Sequence, residues 1–218
     1  MLAVVVADGD PAPEDADVAR RADLLIAADG GARWLEGHGL RPHLVVGDLD
    51  SLDEPTIERL RGSGARITRH PAEKDASDTE LALEEAVASG ADRIVVLGAI
   101  GGSRLDHELA NVLLLVDPAF AGVDVRLQRG RTQLRAIDGP AALTIEVAAG
   151  STVTLLPIRG DAVGVTTRGL SYGLNDGTLV MGRSRGLSNV VAEEPASVSL
   201  RAGSLLVIEI ANRKEGES

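Results

Sequence analysis

The chain has 218 residues, no cysteine, and 33 acidic against 22 basic side chains, a formal charge of −11. That length allows one large domain or two small ones with about 70% of the unfolded surface buried, while the missing cysteines exclude disulfides, thiolate metal sites and a cysteine nucleophile. The acidity argues against a nucleic-acid partner, and the opening MLAVVVADGD lacks a signal peptide's basic flank. No apolar run approaches the roughly 20 residues of a membrane span, so a cytoplasmic protein with no membrane partner is expected.

In chain order, apolar β-rich runs fall at residues 2–7, 23–28, 43–47, 65–68, 93–99 and 124–128. Helical patterns at 13–22, 31–38, 54–61, 78–88 and 105–116 separate them, with Ser77 or Asp78 as the cap of the fourth. Such alternation predicts an α/β domain with a mostly parallel sheet over residues 1–130. From 131 onward the pattern changes to short runs at 132–137, 141–147, 151–158, 162–167, 178–182, 197–201 and 204–210, broken by turn sequences such as Asn175-Asp176-Gly177. Regular turns of this kind predict a small antiparallel all-β sandwich, with a frayed polar tail after Ile210.

Several strands of the first half end in acids: Asp8 and Asp10, Asp29, then Asp48 and Asp50. Strand C-ends share one edge of a parallel sheet, the edge at which doubly wound folds bind ligands. If the extended conformation persists, Asp48 and Asp50 lie on one face and repel each other unless a cation such as Mg²⁺ joins them. A solvated turn is the bland alternative for that pair, and Lys74 reads equally well as a phosphate contact or a surface lysine. Gly30 and Gly31 permit close backbone approach at a helix start, and His107 reads as a capping or packing residue. There is no GxxxxGK[ST] and no GxGxxG after the first strand, which removes the commonest nucleotide-binding loops.

Taken in order, ADGGARWL, PHLVVGDLDSLD, KDASDTELAL, GAIGGSRLDHELAN, GLSYGL and GRSRGLSN resemble the thiamine pyrophosphokinase family over residues 27–189. The resemblance implies transfer of an intact diphosphate from ATP to the hydroxyethyl group of thiamine, with Mg²⁺ and release of AMP, by a homodimer with thiamine near the subunit interface. It assigns Asp29, Asp48, Asp50 and Asp78 to the catalytic acidic cluster, with Asp48, Asp50 and Asp78 on the metal. It places Gly30, Gly31, Ser51, Lys74, Gly102 and Arg104 at the nucleotide, and Asp106, Tyr172, Ser188 and Asn189 at thiamine. Two positions depart from the family pattern: Leu49 replaces the usual aromatic residue, and Tyr172 the usual tryptophan. Three rivals stay open at this point: a diphosphokinase acting on a pterin alcohol, a nucleotide-sensing module without turnover, and a Mg²⁺ phosphohydrolase.

Overall fold

The structure is a computed structural model that describes residues 1–212. The chain divides into two compact units, the first ending at Gly130 and the second starting at Arg131.

The first unit alternates strands and helices: β1 (Leu2–Val6), α1 (Ala16–Ala19), β2 (Leu24–Ala28), α2 (Gly31–Gly37), β3 (Leu44–Gly47), α3 (Glu54–Gly62), β4 (Arg66–Arg69), α4 (Asp78–Ala88), β5 (Arg93–Leu97), α5 (Leu105–Leu114) and β6 (Asp124–Arg129). Its strands run in the order β6-β5-β1-β2-β3-β4, and every pairing among them is parallel. Val4, Val6, Leu25, Ala27, Val45, Val95 and Leu97 pack with Ala32 and Leu35 of α2 and with Ile57 and Leu60 of α3. Helix α4 packs on β1, β2 and β3 with Ala82, Leu83 and Ala86 buried. Helices on both faces explain why these strands read as unbroken apolar runs rather than alternating ones.

Local chemistry sets the helix starts. Asp53 caps α3 by accepting from the Thr56 amide at 3.0 Å, and Ser77 caps α4 by accepting from the Glu80 amide at 3.1 Å. The single helix expected over 13–22 is instead a 3-10 turn, Pro13–Asp15, followed by the short α1. Buried Asp15 accepts from the amides of Ala12 and Gly130, which fixes the turn, and the chain must be extended again by Leu24 to pair with β1.

The second unit contains β7 (Thr132–Asp138), β8 (Ala141–Thr144), β9 (Thr152–Pro157), β10 (Ala162–Arg168), β11 (Gly177–Leu179), β12 (Asn189–Val190), β13 (Ser197–Leu200) and β14 (Ser204–Ile210). They form two antiparallel sheets, β12-β9-β14-β7 and β11-β10-β13-β8. Val153, Leu155, Leu205 and Val207 of the first sheet share a core with Val165, Leu179, Val198 and Leu200 of the second, which makes the unit a sandwich. The run at 141–147 ends as a strand at Thr144: Ile145 still donates in register to the Ala196 carbonyl, but the Glu146 amide turns away to the Glu209 carboxylate. Two-residue β12 carries too little pattern to be read from sequence. Of the polar tail, Ala211 and Asn212 are tied to Arg131 and Ser151, and residues 213–218 lie outside the described residues.

Candidate active site

In the first unit the chain order runs β1 to β4 on one side of β1, then returns to its other side for β5 and β6. The reversal falls between β1 and β5, so the loops after those strands open a crevice at the sheet's C-terminal edge. A cleft of about 480 Å³ lies there, lined by strand ends at Asp8, Asp29, Asp48 and Gly98, by Lys74 and Asp78 before and at the start of α4, and by His107 and Asn111 of α5.

Three carboxylates meet in it. Asp29, Asp48 and Asp78 each present an oxygen such that all three atoms lie within 4.8 Å of one another. Asp29 is 6% exposed, and its buried Oδ1 has no hydrogen-bond partner. Its backbone is left-handed, with φ +44°, and its amide donates to the Val46 carbonyl at 2.8 Å, which ties the β2 end to β3. A Cβ on Gly47 would lie 3.1 Å from both the Asp29 Cβ and Asp78 Oδ1, so glycine at the end of β3 lets these two acids close over the backbone. Burial pushes the Asp29 carboxyl above its ordinary range against the opposing pull of the Ser51 hydroxyl, and the charges of Asp78, Asp50 and Asp8 add to the rise. Such a donor set, anionic, hard and short of partners, suits an oxygen-loving divalent cation.

Asp50 lies in the same cleft but outside this trio. The extended conformation that would set Asp48 and Asp50 on one face does not persist, because Leu49 adopts φ +64°. Leu49 drops into the core at 3% exposure while the Asp50 amide turns back to Asp48 Oδ1 at 3.1 Å. Ser51, also in the cleft, sets its hydroxyl 3.4 Å from Asp50 and 3.5 Å from Asp8. Neither Asp50 nor Ser51 caps the next helix; Asp53 does.

The glycine pair sits beneath the cleft. A Cβ on Gly30 would collide with the Asp8 carboxylate, and one on Gly31 with the Val6 carbonyl, so close packing of loop and helix against β1 requires both. Gly102 and Arg104 line the cleft from the β5 loop. Asp106 is exposed and holds the Arg104 guanidinium in a fork, at 2.9 Å to Nε and 2.6 Å to Nη2. Those bonds hold the Asp106 carboxyl well below the usual carboxylate range.

Tyr172, Ser188 and Asn189 gather in the second unit. Tyr172 is 72% exposed. Asn189 is buried: its Oδ1 accepts from the Tyr172 and Val190 amides, and its Nδ2 donates to the Tyr172 carbonyl at 2.8 Å. Its side chain therefore shapes the loop that displays the tyrosine ring. Ser188, at φ +55°, donates its amide to Thr154 Oγ1 at 3.0 Å and stays exposed.

Asp8 and Asn111 are among the cleft residues outside the sequence-derived set, and His107, expected to cap or pack, is exposed and lines the cleft. Asp8 ends β1 as the other acids end their strands, so its signal was present. Burial raises its carboxyl above the ordinary range, against the opposing pull of Arg33. Asn111, 7% exposed, donates from Nδ2 to the Ala99 carbonyl at 2.9 Å and pins the β5 loop to α5. A polar residue within LANVLLL was its only trace.

The sequence matches two family profiles: "Thiamin pyrophosphokinase, catalytic domain" over residues 16–127, and "Thiamin pyrophosphokinase, vitamin B1 binding domain" over residues 142–205. The first span holds the three carboxylates and the second holds Tyr172, Ser188 and Asn189. Thiamine pyrophosphokinase of Bacillus subtilis (strain 168) is 28% identical over 186 residues, covering 85% of this chain and 86% of that one. Among solved structures, the thiamine pyrophosphokinase from Bacillus subtilis superposes with a TM-score of 0.87 at 26% identity, covering 98% of this chain and 100% of that one. A thiamin pyrophosphokinase family protein from Enterococcus faecalis gives 0.84 at 28% identity, with coverage of 98% and 100%. With one profile spanning about half the chain, the other following in the second unit, and relatives matched over nearly full length, the chain belongs to the thiamine pyrophosphokinase family and is an enzyme of that type.

Proposed function

We propose that the enzyme transfers an intact diphosphate from ATP to the hydroxyethyl group of thiamine, with Mg²⁺ held by Asp29, Asp48 and Asp78, releasing AMP. The observation that carries this reading is the carboxylate trio with the partnerless, buried Asp29 Oδ1, in a chain matching both family profiles. An acidic cleft repels a polyphosphate, so the trio is useful to ATP only through a cation. Bound there, Mg²⁺ would neutralise charge on the diphosphate oxygens during displacement.

The chain's own groups do the rest. Lys74 and Arg104 line the same cleft and supply donors to phosphate oxygens, with Arg104 aimed by Asp106. As the thiamine hydroxyl oxygen bonds to the β-phosphorus, the bond from that phosphorus to the AMP oxygen breaks, and the hydroxyl proton needs an acceptor. Asp50 fits that role better than Asp106, because Asp50 lines the cleft while Asp106 is engaged with Arg104. Ser51 and Gly102 complete the nucleotide side. The second unit then supplies the thiamine contacts, with the exposed Tyr172 ring as a stacking platform for a flat heteroaromatic ligand and Ser188 beside it. In this reading the protein works in the cytoplasm as a homodimer; light scattering that gives the monomer mass at working concentration would remove the dimer.

Incubation with ATP, Mg²⁺ and thiamine tests the reaction. Equimolar AMP and thiamine diphosphate are expected. ADP with thiamine monophosphate would overturn the diphosphate transfer, and turnover of a pterin alcohol in place of thiamine would overturn the substrate.

A further inference from the structure

Among the 22 basic residues, Lys74 and Lys214 are the only lysines. At position 74 the Nζ lies 2.9 Å from Asp78 Oδ1, with the lysine side chain 15% exposed and the aspartate 28%. The contact is an ion pair without the directed geometry of a hydrogen bond. Among the described residues, Lys74 is the cation paired with the carboxylate trio. It sits on residues 71–77, a stretch without helix or strand that leads into the Ser77 cap.

A lysine ammonium and a divalent cation compete for the same carboxylate, because one neutralises the charge that attracts the other and the two repel at short range. Lysine suits a temporary role: it is a point charge on a flexible four-carbon stem, whereas arginine would grip the carboxylate in a fork. We propose that Lys74 is an exchangeable internal counter-cation. It pairs with Asp78 while the trio is metal-free, is displaced from Asp78 when a divalent cation binds, and is then available to a phosphate oxygen of the nucleotide. The inference rests on the reading of the trio as a divalent-cation site and extends it: the ammonium that lowers affinity for metal alone becomes a ligand-binding group once metal and nucleotide are both present.

Amine acylation of the wild-type protein at fixed pH, read at Lys74 by peptide mass spectrometry, follows the exchange directly. Labelling is expected to be slow without metal, faster with Mg²⁺ alone, and slow again with Mg²⁺ and a non-hydrolysable ATP analogue. In parallel, Mn²⁺ binding without nucleotide should tighten by about tenfold in Lys74→Gln, since a positive charge leaves the site. The wild type should bind Mn²⁺ saturably, and Asp48→Asn should not. If the wild type shows no saturable Mn²⁺ binding, the metal site itself fails and the exchange with it. If the wild type binds Mn²⁺ but Lys74 labelling is unchanged by metal, or Lys74→Gln binds Mn²⁺ no more tightly, the exchange alone is overturned.

Discussion

Both units bury charge, and they treat it in opposite ways. In the second unit Glu209 is 0% exposed and accepts from Arg135 Nη2 at 2.5 Å and from the Glu146 amide at 2.9 Å. Arg135 also donates to the Thr144 carbonyl and to the Glu146 carboxylate, at 2.8 and 3.0 Å. In the first unit Asp29 is nearly as buried, its Oδ1 has no partner, and its neighbours are the Ser51 hydroxyl and other carboxylates. A buried charge satisfied by its own fold is part of the framework. One left short, at a cleft, is in the proposed reading the seat of the cation.

The largest effect should come from breaking the Arg135–Glu209 pair, in which both Glu209 oxygens are engaged although Arg135 Nε has no partner. Arg135→Ala leaves Glu209 buried without its cation and should cost about 3–5 kcal/mol of stability in a denaturant titration. A loss under 1 kcal/mol would mean that the two buried charges are not different in kind. Next is the cleft, where Asp48→Asn should fold normally yet lose about 3 kcal/mol of transition-state stabilisation, roughly a hundredfold in turnover at saturating Mg²⁺. Near-normal turnover would place the chemistry elsewhere. Tyr172→Ala removes a ring that is already 72% exposed, so stability should hold. The thiamine KM should rise about tenfold, near 1.4 kcal/mol, with the ATP KM unchanged.

The smallest effect has the most informative sign. The folded Asp29 carboxyl binds its proton more tightly than the unfolded one, whose ordinary value is 3.8. Above that value the unfolded state releases a proton that the folded state retains, so this contribution to stability is complete below it and is lost as pH rises through the raised folded value. In metal-free protein, wild type minus Asp29→Asn stability should therefore fall with pH across that window, and at neutral pH the variant should be equal to or more stable than wild type by about 1 kcal/mol. Saturating Mg²⁺ should reverse the order. A variant that is markedly less stable without metal would make Asp29 a framework charge like Glu209.

Much of this was legible in the chain. Continuous apolar runs such as LAVVVA announce strands covered on both faces, and acids at the ends of β1, β2 and β3 announce a charged sheet edge, because parallel strands present their C-ends together. What escaped depends on single dihedrals and distant partners. The left-handed turn at Leu49 separates Asp48 from Asp50, which spacing alone would have kept on one face. Asn189 sits in a motif expected at the ligand, yet its amide is engaged with the backbone of Tyr172, 17 residues away.

By itself, the sequence determined the two-part architecture and the acidic edge of the sheet, since periodicity, turn residues and strand-end acids are local properties written in consecutive letters. Only the tertiary structure decided which acids form the trio: Asp29, Asp48 and Asp78 come from the ends of β2 and β3 and the start of α4. It also decided that Glu209 would find Arg135, 74 residues distant, while Asp29 Oδ1 would find no partner. Whether a buried charge is satisfied is settled by chain segments far apart in sequence, and only folding brings them together or leaves a gap between them.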